Sequence, residues 1–268
     1  MKPSGIITLT TDFGLRDPYV AMVKGVMLST NPRARLVDVS HLIQPGAVRE
    51  GAAAIQETYP YFPKGTVHLA VIDPGVGGGR RIIAVSASEH YFVGPDNGLF
   101  SHVIRCDPTA EVIQLTERQF FLEPITHTFH GREIFAPVAA HISLGVPLDR
   151  LGRPIHDPFI FDVPKPREKD GVLYGEITHV DHFGNCITNI SKSLLDRFLQ
   201  ASRPVIEVGP FRIPELSLTY ADGDSGQPLA LINSSSLLEI AVNTGRASEY
   251  LEQDPQGIVG KTVTVRKG

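Results

Sequence analysis

The chain has 268 residues, 42% of them hydrophobic, and a formal net charge of −4, which suffices for one large or two ordinary domains with real cores. Charges of both signs are interspersed, and Lys and Arg occur in pairs rather than runs, which argues against a nucleic-acid partner. No stretch approaches the apolar length of a membrane helix, the amino terminus carries no leader-like segment, and Cys106 and Cys186 are the only cysteines; the expectation is a cytoplasmic protein with buried thiols, off the membrane.

In chain order, Ile6 to Leu9 read as a strand, with Asp17 as the N-cap and Pro18 as the first residue of a helix carrying Tyr19, Met22, Val23, Val26 and Met27 at helical spacing. Arg35 to Val39 is the next strand. Val48, Ala52, Ile55 and Tyr59 mark the inner face of a helix that Pro60 ends. Thr66 to Ile72 is β-branched and apolar enough for a buried parallel strand. Ile82 to Val85 and Tyr91 to Val93 follow as strands, then a helical stretch from Leu99 to Ile104 and a helix near Ile134 to Leu144. This alternation predicts an α/β amino-terminal domain with a largely parallel sheet.

Around His156 to Asp170 three prolines and clustered charges break any period, which places the boundaries at a first domain 1–158, a linker 159–170 and a second domain 171–268. Beyond it, short strands at Val172 to Val180, Cys186 to Ile190, Val205 to Val208, Leu229 to Ile232, Leu237 to Val242 and Val263 to Arg266 predict a smaller carboxy-terminal β-barrel or sandwich.

The stretch Val71-Ile-Asp-Pro-Gly-Val-Gly-Gly-Gly-Arg-Arg81 carries the most information. Asp73 falls where a parallel strand ends, the edge at which open α/β sheets bind ligands, and glycine lets the backbone approach a ligand closely. The spacing fits neither a dinucleotide fingerprint nor a P-loop. A tight turn with a solvated Asp–Arg pair would produce the same string. Three more polar clusters follow the same logic: Asp12 after the first strand, Asp96-Asn97 in a turn, and Thr126-His-Thr-Phe-His-Gly-Arg-Glu133 leading into a helix. Asp12 could grip a ribose diol or cap a turn. His130 stands out among the ten histidines; His41, His68, His90, His102, His141 and His156 carry no signal beyond a structural role. In the second domain Asp181 to Asn189 and Asn233 to Ser236 are polar turns of the kind any hairpin favours. Zinc and calcium signatures and a G-x-S-x-G nucleophile elbow are absent from the sequence.

Taken together, Thr11-Asp-Phe-Gly14, Val37-Asp-Val-Ser-His41, Asp73-Pro-Gly-Val-Gly with Arg80-Arg81, Pro95-Asp-Asn-Gly98, Thr128-Phe-His-Gly-Arg-Glu133, Asp181-His-Phe-Gly-Asn185 and Asn233-Ser234 resemble the S-adenosyl-L-methionine hydroxide adenosyltransferases, in order through nearly the whole chain. The resemblance implies an enzyme that hydrolyses S-adenosylmethionine to adenosine and L-methionine, related to fluorinating and chlorinating enzymes that attack the same carbon with halide. It implies an α/β domain followed by a β-barrel, a homotrimer with sites between neighbouring subunits, and no cofactor or metal. Residue by residue, the catalytic set falls on Asp73, Arg80 and His130. Asp12 matches the ribose carboxylate; Asp181, Asn185 and Ser234 match positions that hold the methionine amino and carboxylate groups; Phe183 and Tyr220 match aromatic residues flanking the nucleoside. Asn97 and Phe129, inside the matching motifs, complete the substrate-binding set. Halogenating relatives carry tyrosine where this chain has Asp73, and the fluorinating enzyme carries serine where this chain has Gly131, so hydrolysis is the preferred chemistry. Ser235 and Gly46 stand where halogenating members carry a basic residue and a tryptophan. The alternatives are a halide-dependent transferase, a nucleoside-binding module without catalysis, and a metal-dependent phosphohydrolase built on Asp12, Asp73 and Asp96.

Overall fold

A computed structural model describes residues 1–162, 164–251 and 257–268, and the chain divides into two units, Met1–Phe161 and Asp162–Gly268. The first unit begins with β1 (Ile6–Thr11), α1 (Tyr19–Thr30), β2 (Arg35–Ser40), α2 (Val48–Thr58) and β3 (Val67–Val71). It continues through β4 (Ile82–Ala87), β5 (His90–Pro95), α3 (Ser101–Cys106), β6 (Glu111–Leu115), α4 (Ala136–Ser143) and β7 (Gly152–Pro154). The seven strands form one sheet in the order β2-β1-β3-β5-β4-β6-β7. Strands β2, β1, β3 and β5 are parallel; β4, β6 and β7 add antiparallel pairs.

The departure from a fully parallel sheet has a local cause. β4 and β5 are joined by Ser88 and Glu89 alone, both with positive φ (50° and 61°), the backbone of a two-residue hairpin turn. Helix α1 begins later than its sequence suggests: Pro18 is the N-cap, and Asp17 supplies no capping bond. Only Val23 and Met27 of its apolar stripe are buried, while Tyr19 and Met22 are exposed. Pro60 ends α2 as expected, by tightening the chain into a 3₁₀ turn at Tyr59–Tyr61.

The second unit comprises β8 (Arg167–Lys169), β9 (Val172–Val180), β10 (Cys186–Ser191), α5 (Lys192–Leu199), β11 (Pro204–Val208) and β12 (Phe211–Ile213). It ends with β13 (Pro228–Ile232), β14 (Leu237–Val242), α6 (Ala247–Leu251) and β15 (Thr262–Lys267). Its sheet is antiparallel throughout, in the order β12-β11-β15-β9-β10-β14-β13, with β8 on β9. The end strands β12 and β13 approach each other, giving a nearly closed barrel. Helix α5 went unread in the sequence although Ser191 caps it, accepting the Leu194 N–H (3.2 Å), and Leu195, Phe198 and Leu199 are buried. The segment 159–170 is not all connection, since β8 lies within it. Of the two free cysteines, Cys186 is buried but Cys106 is exposed, contrary to expectation.

Two histidines read as unremarkable are buried together at the amino ends of β3 and β5. The Thr8 hydroxyl meets His68 Nδ1 at 2.8 Å, and His68 Nε2 meets His90 Nδ1 at 3.3 Å, within a ring cluster of Tyr59, Phe62 and Phe92. Burial, reinforced by His90, pushes His68 down to about 3. The folded state therefore keeps His68 neutral where the unfolded chain, titrating near 6.5, binds a proton. That contribution to stability is complete above pH 6.5 and is lost as pH falls toward 3. Between pH 6 and 4 the wild type is expected to lose about 1.4 kcal/mol per pH unit more than His68→Gln does. Urea unfolding across that range checks this; equal slopes would remove His68 from the acid response.

Candidate functional site

Because β1, β3 and β5 run parallel as neighbours, their carboxyl ends share one edge. Asp12 follows β1, Asp73 follows β3, and Asp96 and Asn97 follow β5. β2 lies on the other side of β1, so the winding reverses between β1 and β3, where open α/β sheets form their ligand crevice. β4 pairs antiparallel with β5, Ile82 opposite Pro95. The 73–81 loop must therefore cross the end of β5, which brings Arg80 and Arg81 to the same edge.

The two arginines diverge in use. Arg81 donates through Nε to Asp96 Oδ2 (2.7 Å) and through Nη1 to Asp157 Oδ1 (2.7 Å), while the Phe159 N–H donates to Asp96 Oδ1 (2.7 Å). That clasp ties the 157–159 segment to the loop. Arg80 turns to Asp73: its Nε donates to both carboxylate oxygens at 3.0 Å, and Nη2 donates to Oδ2. The side chains are only 5% (Asp73) and 11% (Arg80) exposed, so the pair is mostly screened from water. The same Nη2 lies 2.9 Å from His130 Nδ1. A guanidinium can only donate, so Nδ1 accepts and a neutral His130 carries its proton on Nε2. Burial and then the Arg80 charge lower the His130 pKa, partly offset by the Thr126 carbonyl, Asp73 and Glu133. The expected set Asp73, Arg80 and His130 is thus one hydrogen-bonded run.

Two glycines fit this run closely. A Cβ on Gly75 would lie 3.3 Å from Arg80 Cγ, and Gly77, at φ +75°, would place one 2.1 Å from the His127 carbonyl oxygen. Asp12 is half-buried, and its Oδ2 accepts the Gly46 N–H at 2.8 Å. Asn97 donates to the Ile72 carbonyl (2.8 Å), linking the ends of β5 and β3. Phe129 stacks edge-on with Phe13 (5.7 Å) and Tyr19 (5.3 Å).

In the second unit Asp181 and Asn185 close one turn: Asp181 Oδ1 accepts the Asn185 N–H (2.8 Å) and Oδ2 accepts the Asn185 amide (3.0 Å). Phe183, at the tip of that turn, is 71% exposed. Ser234 is exposed in the turn after β13, whose Asn233 Oδ1 accepts the N–H groups of Ser235 and Leu237. Tyr220 donates its hydroxyl to Glu239 Oε1 at 2.8 Å. Burial and this bond push Tyr220 up to about 12, and burial raises Glu239 as well.

Three residues given no site role in the sequence support these groups. Glu239 is a buried acid in the otherwise apolar β14, and that isolation was its signal. His41 Nδ1 meets the Thr11 hydroxyl (2.8 Å) beside Asp12, with Asp38 Oδ1 3.0 Å from its Nε2. Glu133 is buried behind His130. Among the described residues no three His, Cys, Asp or Glu side chains are grouped so as to hold a metal ion.

Residues 7–152 match the model of the SAM hydroxide adenosyltransferase N-terminal domain, and residues 175–259 that of the C-terminal domain. An (R)-S-adenosyl-L-methionine hydrolase of Salinispora tropica is 40% identical, with 95% of this chain and 97% of that protein covered. A fluorinase of Actinoplanes sp. is 32% identical, covering 98% of this chain and 97% of its own. The crystal structure of an uncharacterized conserved protein from Thermotoga maritima superposes with a TM-score of 0.89 at 34% identity, over 97% of this chain and all of the other.

The glycines of the 73–81 loop are not equivalent. Gly77→Ala, strained in φ and blocked by backbone, is expected to lower stability by about 1–3 kcal/mol. Gly79→Ala, with nothing within 4 Å of the new methyl, should stay within about 0.5 kcal/mol of wild type. Denaturant midpoints of the two variants check this; equal midpoints would mean the loop does not need the close approach to His127.

Proposed function

The chain belongs to the SAM hydroxide adenosyltransferase family, and on that premise we propose that it is an enzyme that hydrolyses S-adenosyl-L-methionine to adenosine and L-methionine by in-line attack of water on C5′. The observation that carries this reading is the hydrogen-bonded run Asp73–Arg80–His130 at the carboxyl edge of the parallel strands. The sulfonium departs as a neutral thioether, so no acid is needed at sulfur, and catalysis reduces to placing a water in line with C5′. The water oxygen bonds to C5′ while the C5′–S electron pair returns to sulfur. A carboxylate is too weak a base to deprotonate free water outright. Asp73 therefore orients the water and takes its proton as the new bond forms, while Arg80 fixes the carboxylate and His130 fixes the guanidinium.

Asp12 holds the ribose diol through the lone pairs that Gly46 leaves open. Asn97 and Phe129 line the nucleoside end, Asp181, Asn185 and Ser234 take the methionine amino and carboxylate groups, and Phe183 and Tyr220 flank the adenosine. No cofactor enters this scheme. We carry over from the family resemblance a homotrimer with sites between neighbouring subunits, and a cytoplasmic location. The exposed apolar side chains Tyr19, Met22 and Leu28 of α1 support a covered face; no helix among the described residues is long and apolar enough to cross a membrane.

Incubation with S-adenosylmethionine and chloride in oxygen-18 water, read by mass spectrometry, is expected to give methionine and adenosine labelled at the 5′ oxygen. A 5′-chlorinated nucleoside would replace hydrolysis by halide transfer. Asp73→Asn should lower kcat by about 10²-fold or more with ligand binding retained, and near-normal turnover would take Asp73 out of the mechanism. Asp12→Ala should weaken adenosine and S-adenosylmethionine together by calorimetry, whereas unchanged adenosine affinity would refute the ribose assignment.

A further inference from the structure

The loop that carries the face of His130 remote from Arg80 has little regular structure of its own. Between the 3₁₀ turn at Arg118–Phe120 and His130 the chain forms neither helix nor strand. Its backbone groups must find partners elsewhere. Glu133 supplies two of them, one through its side chain and one through its carbonyl. Glu133 is 1% exposed, and its Oε2 accepts the Thr126 N–H at 2.8 Å while both carboxylate oxygens lie 3.0 Å from the Thr126 hydroxyl. Arg132 Nη2 donates to Oε1, and the Glu133 carbonyl accepts the Leu122 N–H at 2.7 Å. Glu133 sits inside a wide π-type turn, Gly131–Phe135, in which the Ala136 N–H reaches back to the Gly131 carbonyl. Such turns recur at functional sites because they displace a residue from ordinary helical register.

We propose that Glu133 is a positioning residue for His130: by pinning Thr126 it fixes the backbone carbonyl that faces the imidazole, and so sets the ring that buttresses Arg80 and Asp73. This rests on the hydrolase reading for its kinetic consequence, though not for its geometric one. Glu133 itself is buried, so it acts through Thr126 and His130. Burial would raise its pKa, but the Thr126 N–H, Arg132 and the Thr126 hydroxyl outweigh burial, and it is held below the usual carboxylate range. The charged groups facing His130 are Arg80, Asp73 and Glu133. Removal of the Glu133 charge, together with its hold on the Thr126 N–H and hydroxyl and hence on where the Thr126 carbonyl lies, weakens two of the influences that favour the protonated ring.

The test compares Glu133→Gln in the wild-type and His130→Asn backgrounds, with adenosine formation from S-adenosylmethionine followed by mass spectrometry. In the wild-type background kcat is expected to fall about tenfold to a hundredfold, with KM within about threefold. In the His130→Asn background the same substitution should change kcat less than about twofold, because residues acting as a unit are not additive. Equal losses in both backgrounds would overturn the proposal and leave Glu133 with a packing role. In parallel, nitrogen-15 NMR of the ligand-free protein reads the His130 titration, assigned by its disappearance in His130→Asn. Glu133→Gln should move that midpoint downward and leave His127 in place; an unmoved His130 midpoint would overturn the proposal even if the wild type made no adenosine, the result that would defeat the hydrolase reading separately. Where Glu133→Gln does not fold, Thr126→Val, which removes the hydroxyl bonds and keeps the amide bond and the Glu133 charge, is read by kcat in the same two backgrounds, a loss confined to the wild-type background supporting the proposal and equal losses overturning it.

Discussion

The pairing of Asp73 with Arg80 is the constraint on which the site depends. A charged pair with both side chains almost wholly covered adds little to stability over an apolar pair of the same shape, but breaking it strands an uncompensated charge. The surrounding loop is shaped to keep it. The chain leaves β3 at Asp73, must cross the end of β5 to enter β4, and returns Arg80 to the carboxylate seven residues on. Gly75 gives room for the Arg80 stem, and Gly77 lets this loop touch the backbone of the 121–130 loop, from which His130 meets the guanidinium. Arg81, one residue later, anchors the loop from the other side through Asp96. Fixed in this way, the carboxylate needs little reorganisation during a reaction, which is how preorganised polar groups gain their effect.

Much of this was legible from period and spacing. Buried parallel strands announce themselves as β-branched apolar runs, and in a parallel sheet the residue after each run lies on the ligand edge, so Asp12 and Asp73 could be placed without coordinates. The misses have physical causes. β4 and β5 turn antiparallel through two residues, Ser88 and Glu89, neither of them the glycine or asparagine that marks such a turn in sequence. β6 is only half covered, and β7, β8 and β12 are three residues each, too short for a period to show. α5 was readable from its Ser191 cap and buried Leu195, Phe198 and Leu199, but a surrounding run of strands hid it. The His68–His90 contact and the reach of Glu133 back to Thr126 join residues whose roles depend on burial, which periodicity does not report for single polar side chains.

The two units solve the same problem of holding polar groups on a rigid base in different ways. In the first, strand ends and a glycine-rich crossing loop present the carboxylates. In the second, hairpin turns do so, stiffened from beneath: Asp181 folds onto Asn185, and the buried Glu239 takes the Tyr220 hydroxyl. A carboxylate inside an apolar strand is expensive unless hydrogen-bonded, so Tyr220 and Glu239 depend on each other. A phenol tied to such a base stays protonated through the neutral range, keeping its ring a neutral, oriented surface.

The charge arrangement also bears on which nucleophile the proposed reaction can use. A halide placed near Asp73 would stand against a carboxylate whose compensating guanidinium is already engaged on three hydrogen bonds. Asp73 repels an anion on its open side while Arg80 attracts it from behind, so the repulsion is the difference of two opposing charges. Water carries no such penalty and can donate a hydrogen bond to the carboxylate. The space at residue 131 points the same way. A Cβ on Gly131 would come within 3.0 Å of Phe13 and 3.4 Å of Phe129, so a serine hydroxyl there, as the fluorinating relatives are expected to carry, would require those rings to give way. Without it, Phe13 and Phe129 meet edge to face and the residue offers an anion no side-chain donor. The proposed preference for water is thus supported by a carboxylate at position 73 that can accept its hydrogen bond and by an aromatic contact that leaves little room for a side-chain hydroxyl at position 131.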